Sequence, residues 1–420
     1  MKKLHDHINE FYSDGDSNVI KMGLDRVKNV RDQAHINPNF PIITVGGTNG
    51  KGSICAFLES IYSESGYSVG CYTSPHLFKF NERIKVNKKE IDDNTILETL
   101  DFIQTKKKFI ELTYFEITTL AAIKIFIEKK IDIAILEVGL GGRLDAVNIF
   151  EPEISIISSL SMDHQDYLGD SIDKIAYEKS GISRPNKHTI LNFQNIPNSM
   201  INFLNKLKTK LSLLNNDYSF SYDAKYYNYT SHNFSMEELP LPNLKGHNQL
   251  VNLTGCLRVI DLYNKKFPVG LEAIKKGIKD SFIKGRLQIL SKKPYIVADV
   301  AHNEGAAISL YNFIKLTKRE GKIFAVFSIL ENKDLEKVLF PFTSLVDEWN
   351  ISELKDIRSQ KIDFMTSSLK KSKNKIIINK FNNIIEAFEN ALNKADLNDN
   401  IIIFGSFLTV SAIMETFNND

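Results

Sequence analysis

Short apolar runs rich in β-branched residues alternate with longer helical stretches along this chain of 420 residues. The clearest apolar runs span 41–45, 131–138, 154–158, 295–300, 323–327 and 401–404. Several are almost continuously apolar, which is typical of strands that are buried on both faces. Helices are expected between them, over 52–65, around 170–179, and over 252–264 and 269–282. The alternation predicts βαβ units and an α/β fold built on parallel sheets.

Two changes in this pattern divide the chain. Residues 191–240 are rich in Asn, Tyr and Ser and carry short alternating segments, which favours a peripheral antiparallel region or a long excursion of the chain. A fresh alternation of strand and helix starts after Gly285. We therefore expect two domains. Residues 1–281 would form a parallel-sheet domain that binds phosphate, and residues 282–420 a smaller, Rossmann-like α/β domain.

Composition and charge exclude several classes of function. The chain is 43% hydrophobic and 25% charged, the balance of a soluble globular protein. Its 53 Lys plus Arg nearly cancel its 51 Asp plus Glu, so we expect neither a nucleic-acid partner nor an anionic membrane surface. The three scattered cysteines fit neither a disulfide framework nor a Cys-based zinc site.

Targeting signals are equally weak. Apolar stretches of the roughly 18 residues that a membrane span needs are missing from the sequence. The opening residues Met1-Lys2-Lys3 are followed by polar residues rather than by an apolar segment, so we expect no signal peptide. The interpretation is a cytoplasmic protein.

The strongest chemical signal is a Gly-rich turn at the end of the first apolar run. Residues 46–53 read Gly-Gly-Thr-Asn-Gly-Lys-Gly-Ser, and a helix is expected directly afterwards. Glycines let backbone N–H groups surround phosphate oxygens, and the start of a helix adds its positive dipole end. Lys51 can reach the β- and γ-phosphates, and Ser53 can offer a hydroxyl to Mg²⁺ or phosphate. Because Gly52 separates them, the spacing differs from that of an ordinary P-loop. The alternative is a Gly-rich turn with an incidental lysine.

This turn resembles the nucleotide loop of the Mur ligase superfamily, specifically its folylpolyglutamate synthase/dihydrofolate synthase branch. The segments that carry the resemblance are 23–27, 47–53, 73–77, 81–84 and 113–116. Further likeness recurs down nearly the whole chain. The resemblance implies a P-loop ATPase domain and a ligase that joins L-glutamate to a folate with ATP. The nucleotide-binding residues that it implies in the loop are Gly47, Thr48, Asn49, Gly50, Lys51, Gly52 and Ser53.

Acidic and hydroxyl side chains suggest a magnesium site. Glu137 lies at the carboxyl end of the run 131–138, where open α/β sheets bind their ligands. Magnesium prefers hard oxygen donors, although a carboxylate here could also simply cap the tight turn that follows. The family's strand-end glutamate falls on Glu137. The resemblance also implies metal contacts from Ser53, from Ser74, from His164 at a second Mg²⁺, and from a carbamylated Lys179. It makes Lys51, His164 and Lys179 the catalytic candidates.

The second half of the chain adds candidate nucleotide contacts. Asn252 lies in a segment that resembles the family's G-x-H-Q-x-x-N motif, and it either hydrogen-bonds the nucleotide or caps the helix after it. Arg286 matches the Gly-Arg motif that opens the carboxyl-terminal domain, and its guanidinium could reach ATP phosphates when the domains close. Residues 299–303 match the motif D-x-A-H-N, which implies that Asp299 binds ribose and that His302 lies near the phosphates.

The reaction implied by the resemblance begins with a folate carboxylate that attacks the γ-phosphate of ATP. The amine of glutamate then displaces phosphate from the acyl phosphate. ATP and Mg²⁺ are the expected cofactors, and a monomer is expected. The residues leave open whether dihydropteroate is also a substrate. Two rivals remain: another Mur-type amino-acid ligase, one that acts on a UDP-linked cell-wall precursor, and a P-loop protein that uses nucleotide as a switch or simply binds it.

Overall fold

The computed structural model describes Leu4 and residues 21–232, 234–372 and 376–418. The opening residues 1–3, for which no signal peptide is expected, lie outside the described residues. Backbone contacts divide the chain into two compact units. The first contains the residues up to 243 together with 249–282, and the second contains 244–248 together with the residues from 283 onwards.

The first unit is built on an eight-stranded sheet with the strand order β4-β3-β2-β5-β1-β6-β7-β8. Its strands are β1 Ile42–Gly46, β2 Val69–Tyr72, β3 Ile84–Val86, β4 Lys89–Glu90, β5 Ile133–Glu137, β6 Ile154–Ile157, β7 His188–Leu191 and β8 Lys210–Leu213. Strands β2, β5, β1, β6, β7 and β8, which are neighbours in that order, pair in parallel. Strands β3 and β4 pair antiparallel at the edge next to β2. Every residue of β1, β5 and β6 is buried, as their continuous apolar runs predict.

Helices of the first unit connect these strands. They are α1 Asp25–Gln33, α2 Lys51–Glu64, α3 Asp93–Lys107, α4 Tyr114–Glu128, α5 Gln165–Leu168, α6 Ile172–Ser180, α7 Asn198–Lys206, α8 His247–Tyr263 and α9 Leu271–Asp280. Local sequence explains where α4 starts. The Thr113 hydroxyl accepts the Glu116 N–H at 3.3 Å, and the Glu116 carboxylate accepts the Thr113 N–H at 2.7 Å. This reciprocal capping satisfies two N–H groups that would otherwise lack acceptors.

The antiparallel region is smaller than the sequence suggested. Strands β9 Tyr218–Tyr222, β10 Tyr226–Ser231 and β11 Ser235–Pro240 form a separate three-stranded antiparallel sheet. The prediction of a peripheral antiparallel region or long excursion over residues 191–240 was wrong for β8, which lies within that range and pairs in parallel with β7 at the edge of the main sheet. The polar composition hid this strand, of which only Ser212 is fully buried.

The second unit is a six-stranded sheet with the order β12-β13-β17-β14-β15-β16. Its strands are β12 Gln288–Lys292, β13 Tyr295–Ala298, β14 Ile323–Phe327, β15 Glu348–Ser352, β16 Ile377–Phe381 and β17 Asn400–Phe404. Its helices are α10 Glu304–Thr317, α11 Leu335–Leu339, α12 Ile362–Ser372, α13 Ile384–Lys394 and α14 Phe407–Asn418. All strands except β12 pair in parallel, and the core includes Phe327, Trp349 and Phe404.

The predicted α/β class with parallel sheets is confirmed in both units. Across the described ranges, no helix combines the length and hydrophobicity that a membrane span would require.

Candidate active site

The Gly-rich turn joins the end of β1 to the start of α2, as predicted. Gly47 and Gly50 adopt φ values of 134° and 88°, which side chains other than hydrogen rarely permit. A Cβ on Gly47 would lie 2.0 Å from the Ser158 hydroxyl, so this position is also closed by packing. The Lys51 ammonium donates hydrogen bonds to the carbonyls of Gly47 and Thr48, both at 3.2 Å. The loop therefore wraps around its own lysine. The N–H groups in the first turn of α2 have no acceptor within the helix and could bind an anion.

Glu137 ends β5, the strand that pairs with β1. Its side chain is only 5% exposed, and its carboxylate accepts the Ser74 N–H at 3.1 Å. A Cβ on Gly52 would lie 3.7 Å from this carboxylate, so Glu137 faces the first turn of α2. Ser53 lies in the same turn and is 3% exposed. The structure thus brings together three of the predicted metal contacts, Ser53, Ser74 and Glu137.

The remaining predicted metal contacts lie after β6. Lys179 on α6 is 3% exposed, and burial, with the nearby Lys51 ammonium, lowers the pKa of Lys179 to about 7. The charges of Asp163 and Asp145 act against that shift. His164 has a φ of 51°, and its Nε2 lies 3.8 Å from the Asp163 carboxylate.

Asp145 is a buried carboxyl group that sequence reasoning missed. It is 5% exposed and accepts the N–H groups of Leu140 at 2.8 Å and Val147 at 3.0 Å. Burial nevertheless raises the pKa of Asp145 to about 7. Its hydrogen bonds fix the glycine-containing turn after Glu137. The only sequence signal was its place in the segment 137–146, which was interpreted through Glu137 alone.

Whether these residues fit a divalent cation depends on the donors they supply. No group of three or more His, Cys, Asp or Glu side chains suited to a metal occurs in the described part of the chain. The candidate donors near α2 are instead the buried Glu137 carboxylate, Ser53 in the first turn of α2, and Ser74, whose backbone N–H bonds to Glu137. Magnesium binds through few protein carboxylates and completes its shell with water and phosphate oxygens. A hard divalent ion that arrives with a nucleotide phosphate therefore fits this set.

Asn252 lies against the nucleotide loop. A Cβ on Gly50 would meet its Oδ1 at 2.5 Å, and its Nδ2 donates to the Gln249 Oε1 at 3.1 Å. Asn252 is inside α8, which begins at His247, so the alternative that it caps the following helix is wrong. The motif segment itself forms the start of this helix.

In the second unit, Arg286 and His302 lie beside one aromatic ring, and Asp299 lies near Arg286. The Phe407 ring lies 5.4 Å from the Arg286 guanidinium carbon and 6.0 Å from the centre of the His302 ring. Asp299 is 6% exposed and accepts the Leu287 N–H at 2.8 Å. Burial raises the pKa of Asp299, and the Arg286 charge opposes that shift. Sequence reasoning gave Phe407 no role, although it follows the last apolar strand directly.

Comparison with known proteins assigns this chain to a class of enzymes. Residues 45–257 match the Mur ligase middle domain, and residues 285–407 match the Mur ligase glutamate ligase domain. The dihydrofolate synthase/folylpolyglutamate synthase of Haemophilus influenzae is 34% identical over 411 residues, which cover 93% of this chain and 92% of that protein.

Solved structures agree with this assignment. FolC of Escherichia coli in complex with DHPP and ADP has a TM-score of 0.93, with 32% identity, 100% of this chain and 98% of that chain covered. A bifunctional folylpolyglutamate synthase/dihydrofolate synthase from Yersinia pestis, complexed with AMPPNP and a Mn ion, has a TM-score of 0.90, 32% identity and coverage of 100% and 98%.

The fold and the nucleotide loop define an ATP-dependent ligase of the Mur type. Within that class, the chain belongs to the folylpolyglutamate synthase/dihydrofolate synthase family. It is a glutamate ligase that acts on folates and uses ATP with a divalent metal ion. The predicted family, reaction class and cofactors are confirmed.

Proposed function

We propose that this chain is bifunctional and adds L-glutamate both to dihydropteroate and to reduced folates. The observation that supports both activities is the likeness over nearly the full length to relatives named for both. A second such relative, from Buchnera aphidicola of Schizaphis graminum, is 37% identical over 372 residues. Residues 1–281 would supply the nucleotide and folate sites, and residues 282–420 the glutamate ligase domain.

Residues of the nucleotide loop, of α8 and of the second unit would bind the nucleotide. Residues 47–53 would form the phosphate loop, in which the backbone amides at the start of α2 and the Lys51 ammonium would hold the phosphates, since the loop already surrounds this ammonium. Asn252 would hydrogen-bond the nucleoside from the first turns of α8, where it lies against Gly50. Further nucleotide contacts would come from Arg286 and His302, which lie beside Phe407, and from Asp299, which lies near Arg286.

In the first step, an oxygen of the substrate carboxylate would attack the γ-phosphorus of ATP, and the bond from that phosphorus to ADP would break. The glutamate amine would then attack the acyl carbon, inorganic phosphate would leave, and the amine would lose a proton. Lys51 would balance the charge that moves with the phosphoryl group. A bound Mg²⁺, held by Glu137 with Ser53 and Ser74, would supply further positive charge at the phosphates.

Lys179 and His164 would complete the site on the other side. We infer that Lys179 is carbamylated, because only an uncharged amine reacts with carbon dioxide and burial favours that form. The resulting carbamate would carry a negative charge and, with His164, hold a second metal ion. Intact-mass measurement before and after acid treatment detects the modification, since acid releases a carbamate as carbon dioxide.

The test of function is phosphate release from Mg-ATP by the purified protein, with product masses determined. Glutamate would be combined in turn with dihydropteroate, dihydrofolate and tetrahydrofolate. Turnover that needs both glutamate and each pterin substrate supports the bifunctional proposal, whereas turnover without dihydropteroate activity contradicts it.

A matched pair of lysine variants assigns the activity to the loop. Lys51→Met would abolish turnover, while Lys174→Met would retain it, since Lys174 is an exposed residue that pairs with Asp170. Sedimentation equilibrium tests the proposal that the active form is a monomer.

A further inference from the structure

The segment that follows β6 runs alongside the nucleotide loop and hydrogen-bonds to it repeatedly. The Ser158 hydroxyl lies 2.6 Å from the Asn49 carbonyl oxygen, and the Ser159 hydroxyl lies 3.0 Å from the same oxygen. The Asn49 N–H donates to the Ser159 hydroxyl at 2.8 Å. Both ends of the Asn49 backbone are therefore attached to these two serines.

Thr48 is held in the same way. Its N–H donates to the Ser159 carbonyl at 3.0 Å, and its hydroxyl donates to the Ser161 carbonyl at 3.2 Å. The Ser161 N–H in turn donates to the Thr48 hydroxyl at 3.1 Å. The middle of the loop is thus attached to residues 158–161 by hydrogen bonds at both Thr48 and Asn49.

These contacts decide which groups of the loop meet phosphate. The N–H groups of Thr48 and Asn49 are directed to Ser159, so the amides left for the phosphates are those at the start of α2. The Asn49 carbonyl is also turned to the serines. A carbonyl oxygen that faced the phosphates would repel their oxygens, so its orientation favours an anion in the loop.

Packing makes the arrangement specific. Ser158 is 3% exposed, and its backbone N–H donates to the Gly46 carbonyl at 2.9 Å. Its hydroxyl lies only 2.0 Å from the position that a Cβ on Gly47 would take. The glycine and the serine therefore fit together at a point where neither can be enlarged.

We propose that Ser158 and Ser159 are positioning residues for ATP: their hydroxyl groups hold the loop at Asn49 in its nucleotide-binding conformation before the nucleotide arrives. This inference rests on the proposed use of ATP by the loop. Sequence reasoning assigned neither serine a role, because the contact joins positions about one hundred residues apart, as Ser158 and Asn49 show.

A loop that is ordered in advance binds its ligand without a further ordering cost. Without the hydroxyl groups, part of the nucleotide's binding free energy would be used to order the loop. Affinity for nucleotide would fall, while turnover at saturating ATP would change little, because bound ATP would itself hold the loop. We therefore expect a rise in KM for ATP with kcat nearly constant.

The experiment compares Ser159→Thr with Ser159→Val, which have the same shape and differ in the hydroxyl. Ser159 is partly exposed, which leaves room for the added methyl group. Calorimetry with Mg-ADP should give a Kd roughly 5- to 10-fold higher for the Val variant, as expected for loss of the hydrogen bonds between the Ser159 hydroxyl and the Asn49 backbone. The KM for ATP should rise by the same factor, with kcat within about twofold and the KM for glutamate unchanged.

Ser155→Ala is the matched control. Ser155 lies in β6 and is 1% exposed, and its hydroxyl donates to the Ile182 carbonyl at 2.7 Å, away from the loop. It should lower the melting temperature and leave the Kd for Mg-ADP unchanged. Ser158→Ala, which adds no volume, gives a second measurement if Ser159→Val does not fold.

Three results would overturn the inference. They are equal Kd values for Ser159→Thr and Ser159→Val, a wild-type Kd for Ser158→Ala, or an equal loss of affinity in Ser155→Ala. Failure of the wild-type protein to bind Mg-ADP would instead remove the proposed function, and the inference with it. Wild-type binding with unaffected variants would overturn the inference alone.

Discussion

At the scale of single residues, the site depends on a carboxylate that is kept out of water. Glu137 is 5% exposed, and its carboxylate faces the first turn of α2. Glu137→Gln keeps an acceptor for the Ser74 N–H and removes the charge. We expect kcat/KM to fall at least about 100-fold, the scale of losing one preorganised electrostatic contact.

The same phosphate-release measurement checks this prediction. Glu153→Gln is the control, because Glu153 is a partly exposed carboxylate that pairs with Lys187 at 2.8 Å. Equal activity of Glu137→Gln and the wild-type protein would show that the charge has no part in the reaction.

Gly47 gives a second prediction at this scale. An Ala at Gly47 would combine a φ of 134° with a contact of 2.0 Å to the Ser158 hydroxyl. Gly66→Ala is a matched control, since Gly66 also has a positive φ, of 86°, but nothing lies within 4 Å of its Cβ position. Both variants should lose some stability, and only Gly47→Ala should weaken Mg-ADP binding, by more than about tenfold. Calorimetry would contradict this if both variants bound alike.

At the scale of elements, the apolar runs predicted the buried strands well and their ends less well. The run 131–138 becomes β5 only from Ile133, because the Ile131 N–H donates to the Phe126 carbonyl and belongs to the turn after α4. Strand β8 was missed since only one of its four residues is fully buried. The spacing of hydrophobic residues indicates which positions are buried. A partly exposed edge strand has few buried positions, so its sequence shows only a weak hydrophobic pattern.

The site was predictable to a similar extent. The nucleotide loop directly follows β1, and Glu137 is the last residue of β5. Their positions at the ends of apolar runs were therefore enough to predict them. Asp145 accepts N–H groups of its own turn, at Leu140 and Val147. Ser158 and Phe407, by contrast, act through contacts with distant segments, such as that of Ser158 with Gly46 and Asn49. No local pattern marks such contacts. Asn252 was predicted as a nucleotide contact or as a cap; the observed start of α8 excludes the cap, and the nucleotide contact stays a prediction.

One strand offers a prediction for pH. Burial lowers the pKa of His188 at the start of β7, and the charges of Lys210 and Arg258 add to the shift. The folded state therefore binds this proton less readily than the unfolded state does. Stability from this group is complete above the unfolded pKa of about 6.5 and is lost as pH falls through the lower folded pKa.

His188→Gln should remove that part of the acid sensitivity. Denaturant unfolding at about pH 7.5 and at about pH 5 should show a smaller loss of stability in the variant than in the wild-type protein. His35→Gln is the control, because His35 is an exposed residue at the end of α1. An equal acid-induced loss in wild type and His188→Gln would contradict the prediction.

At the scale of the whole molecule, nucleotide binding should be visible as stability. A ligand present at 100 times its Kd stabilises the folded state by about 2.7 kcal/mol. For a unit of this size, that corresponds to a rise of about 5 °C in melting temperature. Mg-ADP should produce this shift in the wild-type protein and in Ser155→Ala, and a smaller one in Gly47→Ala at the same concentration. Scanning calorimetry that showed no shift in the wild type would contradict it.

The chain passes between its two units three times, after residues 243, 248 and 282. Residues 244–248 belong with the second unit although residues on both sides of them belong with the first. Exchange of the second unit between relatives at a single junction near 282 would therefore leave this short segment with a foreign partner. Leu244, which is 5% exposed, would then lie against a surface it has not been matched to. Recombination of such enzymes should therefore succeed only when residues 244–248 are exchanged together with the second unit.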